Sequence, residues 1–305
     1  MWINKPGRLN DSIELLGTQT NCMYLLKGED AMIIGGGMSW IAPDLEQQLN
    51  RIDFPAEKIK YIVILHSHFD HCGAVPYIKR KYPDIRIVAS NHAKEALAKE
   101  KVINMIEATN KEMIAKNSLQ KEYQDLNLKI DAINVDYTVE DNDIINLGNG
   151  IEVQFMISPG HSKCAIAAYV PSLKAIFPTD ATPIIIDSIE NLSQPSPQYD
   201  FGLYLKSQKR LADCKSELCA FEHNGVVTGK EASQVLKNGT LKTEKYKDLV
   251  IELYNKNHDL EKTATDILSY NNKILQEVDI INQDLLMSVI KYEIMSVLRY
   301  ANISF

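Results

Sequence analysis

His66-Ser67-His68-Phe69-Asp70-His71-Cys72-Gly73 follows directly on the apolar run Tyr61-Ile62-Val63-Ile64-Leu65. Three of the chain's seven histidines and a carboxylate therefore fall within six positions at the end of a predicted strand. The run is β-branched and carries no charged member, so it reads as a strand covered on both faces, as in a sheet sandwiched by helices. Residues i and i+2 of extended chain share a side, so His66 and His68 leave the strand together and can grip one cation. Asp70 and His71 follow where the chain turns into a predicted short helix from Gly73 to Ile78, and they point to a neighbouring second position. A polar loop with scattered histidines would not concentrate its ligands in this way.

Outward from this stretch, the N-terminal side is strand-rich. Ile13–Leu16, Met23–Leu26 and Ala31–Ile34 are separated by Asn, Gly and Asp turns and predict a meander. Ile41, Leu45, Leu49 and Ile52 then recur at helical spacing. On the C-terminal side Arg86–Ala89 is a further strand, and residues 93–127 form a helical insertion with Val102, Ile106 and Met113 on one face. That insertion either covers the sheet or walls a substrate pocket. His92 at its start reads as a surface or capping residue. Ile144–Leu147, the Gly148-Asn149-Gly150 turn and the alternating Ile151, Val153, Phe155 and Ile157 predict a hairpin that ends at His161. Ala165–Val170 and Lys174–Phe177 follow, the second running into Asp180, and Leu218–Phe221 delivers Glu222-His223-Asn224. Four apolar strands thus end at His66, His161, Asp180 and His223. The order of elements predicts an α/β architecture with helices outside.

Beyond Gly229 strand signals stop. Tyr246, Leu249, Val250, Leu253 and Tyr254 make one helical stripe, and Leu285, Leu286, Val289, Ile290, Ile294, Val297 and Leu298 another, with Asp259 a helix cap between them. Such stripes must pack on the main domain, on a second copy or on a partner. The chain is divided accordingly into a domain over 1–229 and a helical extension over 230–305.

With 45% hydrophobic and 24% charged residues the chain is globular, and its formal charge of −7 offers no basic stripe to a phosphate backbone. This disfavours nucleic acid and favours a small, acyl-type substrate. The N-terminus lacks the apolar segment of a secretion signal and no run is long enough to span a bilayer, so a cytoplasmic protein without membrane contact is expected. The cysteines, Cys22, Cys72, Cys164, Cys214 and Cys219, are odd in number and lack CxxC spacing, as reduced thiols would be. Cys72 and Cys164 read as small buried residues beside the ligands.

Seven candidate ligands result: His66, His68, Asp70, His71, His161, Asp180 and His223. His66, His68 and His161 would hold one divalent ion and Asp70, His71 and His223 a second, with the Asp180 carboxylate and a hydroxide as bridges. Two cations about 3.5 Å apart activate such a water and stabilise the oxyanion that its attack creates. A protein base is then unnecessary, although Asp70 can orient the nucleophile. Zinc, iron and manganese all suit the ligand set.

The HxHxDH run, the later PGHS histidine, the isolated strand-end Asp and the final His resemble the metallo-β-lactamase superfamily from Ile13 to about Val227. That resemblance implies an αββα sandwich with a binuclear site at one edge, followed here by a C-terminal helical extension. The bridging Asp180 is similar to that of the hydrolase branch containing glyoxalase II and the lactonases, and unlike true β-lactamases. Within the superfamily the chain most resembles the quinolone-signal response proteins of pseudomonads, which are aminobenzoylacetyl-CoA thioesterases. The shared features are Gly36-Gly37-Met38-Ser39, Asp70-His71-Cys72-Gly73, the insertion, Thr179-Asp180-Ala181 and the helical tail. This likeness implies a tail that roofs the site, supports a homodimer and meets a regulatory protein. Three positions depart from the superfamily: Gly35 where Asp is usual, Thr179 where Gly is usual, and Glu222-His223-Asn224 in place of Gly-His-Gly. None removes a ligand, while Glu222 brings a further carboxylate near the second ion. The expected activity is hydrolysis of an acyl thioester. Lactone or phosphodiester hydrolysis, or a regulatory protein retaining its metal site, are the alternatives.

Overall fold

The computed structural model describes residues 1–275 and 283–305. Strand β1 (Trp2–Ile3) joins the distant edge of the molecule, and β2 (Gly7–Arg8), β3 (Ile13–Gly17), β4 (Cys22–Lys27) and β5 (Ala31–Ile34) form the antiparallel meander. Helix α1 (Ala42–Arg51) crosses to β6 (Ile59–Val63), α2 (Val75–Lys81) to β7 (Arg86–Ser90), and α3 (Asn91–Leu97), α4 (Glu100–Lys116) and α5 (Gln120–Asp125) to β8 (Tyr137–Val139). From β5 to β8 the pairing is parallel, as helical crossovers require.

The second sheet begins with the hairpin of β9 (Ile144–Asn146) and β10 (Glu152–Ile157), and continues antiparallel through β11 (Ile166–Val170) and β12 (Ala175–Phe177). Helix α6 (Phe201–Ala212) leads to β13 (Leu218–Ala220), parallel to β12, and β14 (Val226–Thr228) then pairs with β1. Two seven-stranded sheets result. The tail is α7 (Lys230–Asn257), α8 (Leu260–Leu275) and α9 (Gln283–Tyr300).

Alternation along the strands explains the layering. In β4, Cys22, Tyr24 and Leu26 enter the core between the sheets, whereas Met23 and Leu25 face the outer core under α1, α2 and α4. Both faces are covered, so the strand is apolar throughout. On the opposite side Ala167, Ile176, Cys219 and Val227 pack against Ala232, Val235 and Leu236 of α7. The αββα sandwich expected from the sequence is the observed fold.

Boundaries differ in detail. The decisive strand runs Ile59–Val63 rather than Tyr61–Leu65: Ile59 already pairs with Ala31 of β5, Tyr61 to Val63 pair with both β5 and β7, and the ladder pairing ends there. Ile64 and Leu65 continue it, with Ile64 N–H donating to the Val88 carbonyl at 2.8 Å and the Leu65 carbonyl accepting from Ile166 N–H of the other sheet at 2.9 Å. The two sheets are thus stitched together at the residue before His66. Helix α2 starts at Val75, two residues after Gly73, and the insertion begins at Asn91, where Ser90 caps α3 through Ala93 N–H. Asp259 does cap the start of α8, accepting from Lys262 N–H. The tail stripes meet in one cluster with Phe201 of α6: Tyr246, Val250 and Tyr254 of α7 against Ile290, Ile294, Val297 and Leu298 of α9. Leu285, at the head of its stripe, remains exposed.

Candidate metal centre

All seven candidate ligands converge at the strand ends. His66 Nε2 lies 3.8 Å from Asp180 Oδ2, His161 Nε2 3.5 Å and His71 Nε2 3.3 Å from the same atom. His161 Nε2 is 3.0 Å from His68 Nδ1, and His223 Nε2 is 3.1 Å from His71 Nε2 and 3.5 Å from Asp70 Oδ2. Among the described residues three overlapping groups could each hold an ion: His66, His68 and His161; His66, His71 and Asp180; Asp70, His71 and His223.

A divalent ion fits this arrangement. Bonds of about 2.1 Å arranged tetrahedrally place neighbouring ligand atoms roughly 3.4 Å apart, the spacing seen here. His66 Nε2 and Asp180 Oδ1 are buried without a hydrogen-bond partner, a costly state that a cation between them would relieve. Charge agrees. Burial, followed by the neighbouring imidazoles, holds His66 well below its ordinary pKa and His68 down at about 3. Burial would raise Asp70 and Asp180, but His71 and His223 outweigh it and hold both well below the usual carboxylate range. His71 is the exception: burial opposes its charge, yet Asp70, Glu222 and Asp180 lift its pKa well above the ordinary value. Neutral His66 and His68, ionised Asp70 and Asp180, and a His71 drawn by its neighbouring carboxylates toward its charged form show a demand for positive charge that a bound cation would meet.

The supporting shell sets which ring nitrogen faces the centre. His161 Nδ1–H donates to the Ser196 carbonyl at 2.9 Å, and His223 Nδ1–H to the Thr20 carbonyl at 2.8 Å. His66 Nδ1 meets Thr179 Oγ1 at 2.9 Å. Each of these contacts leaves Nε2 turned inward, as second partners of metal-ligating histidines do. Two asparagines clamp the ligand loop. Asn21 donates to the Asp70 carbonyl while accepting from Met38 N–H. Asn110 of α4 donates to the Phe69 carbonyl while accepting from Ser39 N–H and Oγ–H. Of these supports only Thr179 was singled out from the sequence. Asn110 did carry a signal, since it shares the apolar face of α4 with Ile106 and Met113 and is buried there.

Other expectations are placed differently. Glu222 stands 3.0 Å from His71 Nδ1, on the far side of the ring from the nitrogen that faces Asp70 and Asp180. It therefore supports a ligand rather than approaching the second position directly. Cys72 and Cys164 are free, buried and outside the three groups, and His92 is exposed beside Glu95. Among the described residues no helix is long and apolar enough to cross a membrane.

Residues 15–223 match the family model described as the Metallo-beta-lactamase superfamily. The metallo-beta-lactamase fold-containing protein ST1585 of Sulfurisphaera tokodaii is 27% identical over 188 residues, covering 62% of this chain and 69% of that protein. Ribonuclease J of Mycolicibacterium smegmatis is 35% identical over 101 residues, covering 32% of this chain and 16% of that enzyme. Among solved structures, the metallo-beta-lactamase family protein TTHA1429 from Thermus thermophilus has a TM-score of 0.66 at 15% identity, over 97% of this chain and 94% of that one.

Proposed function

The chain belongs to the metallo-β-lactamase superfamily, and from that premise we propose that it is a binuclear metal-dependent hydrolase acting on an acyl thioester. The observation that carries this reading is Asp180, whose single Oδ2 lies within 3.8 Å of His66, His71 and His161 and so touches both ligand triads. His66, His68 and His161 would hold one ion, Asp70, His71 and His223 the other. Bound there, the pair would supply an activated water and a Lewis acid for charge developing on the substrate oxygen.

The protein's own groups do the positioning. Asn21 fixes the Asp70 backbone, so the Asp70 carboxylate is held against both His71 and His223. Asp70 and Asp180 accept hydrogen bonds and hold no proton to give, which suits a leaving group that needs none. A thiolate, with a pKa of roughly 8.5, departs unaided where an amine would not. The Gly36–Ser39, Asp70–Gly73 and Thr179–Ala181 stretches and the helical tail resemble those of the quinolone-signal response thioesterases, and this resemblance supports the thioester reading over lactone hydrolysis. The local likeness to a ribonuclease favours phosphodiester cleavage as the second reading, and the net charge of −7 weighs against it. Leu241, Tyr270 and Tyr292, exposed on the tail helices, are the side chains we assign to a homodimer or a regulatory partner.

The test is thiol release from a panel of acyl-CoA and acyl-glutathione thioesters by protein of measured metal content, beside His68→Ala. We expect release that tracks metal content and is lost, together with metal, in the variant. Silence from fully metallated protein would overturn the thioester assignment and move the search to lactones and phosphodiesters.

A further inference from the structure

Three residues behind the metal centre touch one another. Glu222 is 2% exposed, follows β13 and turns its carboxylate inward. Thr179 Oγ1–H donates to Glu222 Oε2 at 2.7 Å, so the same hydroxyl is left to accept from His66 Nδ1–H at 2.9 Å. Glu222 Oε2 also stands 3.0 Å from His71 Nδ1. One carboxylate oxygen thereby reaches a ligand of each triad.

We propose that Glu222, Thr179 and Gly35 form a single positioning unit that orients His66 and His71 together and so makes the two metal positions load as a pair. The proposal rests on the binuclear reading above. Its first support is the backbone of Thr179, whose φ of +51° is left-handed. A β-branched residue occupies that region at a cost, and glycine would occupy it freely. The hydroxyl is the one feature of Thr179 that glycine lacks and the contacts use. The second support is Gly35, at φ +89°, where an added Cβ would come within 2.9 Å of Glu222 Oε1. The space beside Gly35 is therefore the space that the Glu222 side chain fills. The third is burial: a carboxyl group removed from water is held only where neighbouring polar groups compensate it. Glu222 accepts a hydrogen bond from Thr179 on one side and stands at ion-pair distance from His71 Nδ1 on the other, without a hydrogen bond to it, and its remaining oxygen is without a partner. Outer partners of ligating histidines fix ring orientation and raise ligand basicity. Because this one is shared, ordering His66 at one position also orders His71 at the other.

The experiment uses the full chain and zinc. Wild type, Glu222→Gln, Thr179→Gly, Thr179→Ser and His68→Ala are titrated with Zn²⁺ against a competing chelator, and the thermal midpoint of each metal-stripped protein is recorded. Wild type and Thr179→Ser are expected to take up two ions per chain in one step. Glu222→Gln and Thr179→Gly should lose roughly 10–100-fold in affinity and split into two steps, while the stripped Thr179→Gly protein, freed of its left-handed threonine, melts no lower than wild type. Wild-type affinity and a single step in both Glu222→Gln and Thr179→Gly would overturn the inference, as would two separate steps in wild type. Zinc binding by His68→Ala equal to wild type, or none by wild type, would instead overturn the binuclear reading beneath it.

Discussion

At the scale of single residues, the ligand loop depends on a close approach that tolerates no side chain. A Cβ on Gly36 would lie 2.3 Å from the His71 carbonyl oxygen and 2.9 Å from Cys72 Cα, both backbone atoms of that loop. Backbone cannot rotate away as a side-chain tip can, and Gly73 and Ala74 N–H are already bonded to the Gly37 and Gly36 carbonyls at 2.6 and 2.9 Å. Gly36→Ala should therefore displace His71 and cost about 1–3 kcal/mol. Thermal unfolding and metal content of the purified variant check this, and an unchanged metal content would show that the loop has slack. The candidate ligands were legible in the sequence because their chemistry is concentrated: His66 to His71 is one contiguous motif, and His161, Asp180 and His223 each follow an apolar run. Their supports were not. Thr20, Asn21 and Ser196 act through backbone carbonyls or single amides, residue types found in any loop, and Glu222, Thr179 and Gly35 could be seen as departures but not as mutual contacts.

At the scale of elements, legibility followed length and apolar content. Strands β1, β2, β8 and β14 span two or three residues, too short for alternation to show, whereas the equally short β9, β12 and β13 are marked by the apolar residues that extend them and the turns or site residues that follow. Helix α6 presents no continuous apolar stripe, because Ser207 and Gln208 lie among its buried residues and interrupt the one formed by Phe201, Tyr204 and Leu211. The insertion was seen, but whether it covers the sheet or walls the pocket was open; α4 packs Ile103, Ile106 and Ile114 on the outer core and reaches the ligand loop through Asn110. Helix α9 reaches the site in a comparable way. Glu293, 3% exposed, accepts from Ser196 Oγ–H at 2.6 Å and Gln194 Nε2–H at 2.8 Å, and the Ser196 carbonyl holds His161. Burial raises the Glu293 pKa from 4.5 to about 7, against the pull of those hydrogen bonds. The folded state thus keeps a proton that the unfolded chain gives up near pH 4.5. Its contribution is fully present below that pH and lost as pH rises to about 7, by up to roughly 3 kcal/mol. Glu293→Gln, neutral throughout, should gain on wild type across this window and hold the gain above it. Urea midpoints at pH 5, 6, 7 and 8 measure the difference; a constant gap would remove Glu293 from the account of the tail's docking.

At the scale of the whole molecule, the sandwich was legible because strands covered on both faces must be apolar on both, and the tail's stripes bury themselves largely on one another and on Phe201 of α6. The candidate metal centre would add a constraint that neither layer supplies. His66, His68, Asp70 and His71 issue from the sheet containing β6, whereas His161, Asp180 and His223 follow β10, β12 and β13 of the other. Ions held by both sets would cross-link the two sheets at the edge where the Leu65 carbonyl and Ile166 N–H already join them. Binding to the folded state alone stabilises it by RT ln(1 + [L]/Kd), about 4 kcal/mol when free metal is 1,000-fold above Kd. For a chain of 305 residues, whose unfolding entropy is about 0.6 kcal/mol/K, that corresponds to a fall in midpoint of roughly 6 °C when a chelator strips the protein. The gap should close as pH falls, because the imidazoles must be neutral to bind and protonation expels the ion. Asp180→Asn should narrow it at neutral pH by removing the carboxylate that both triads share. Calorimetry of metallated and chelated protein from pH 5 to 8 decides the matter: equal midpoints throughout would mean that the sheets are held by their cores alone, and that the seven ligands serve chemistry without serving the fold.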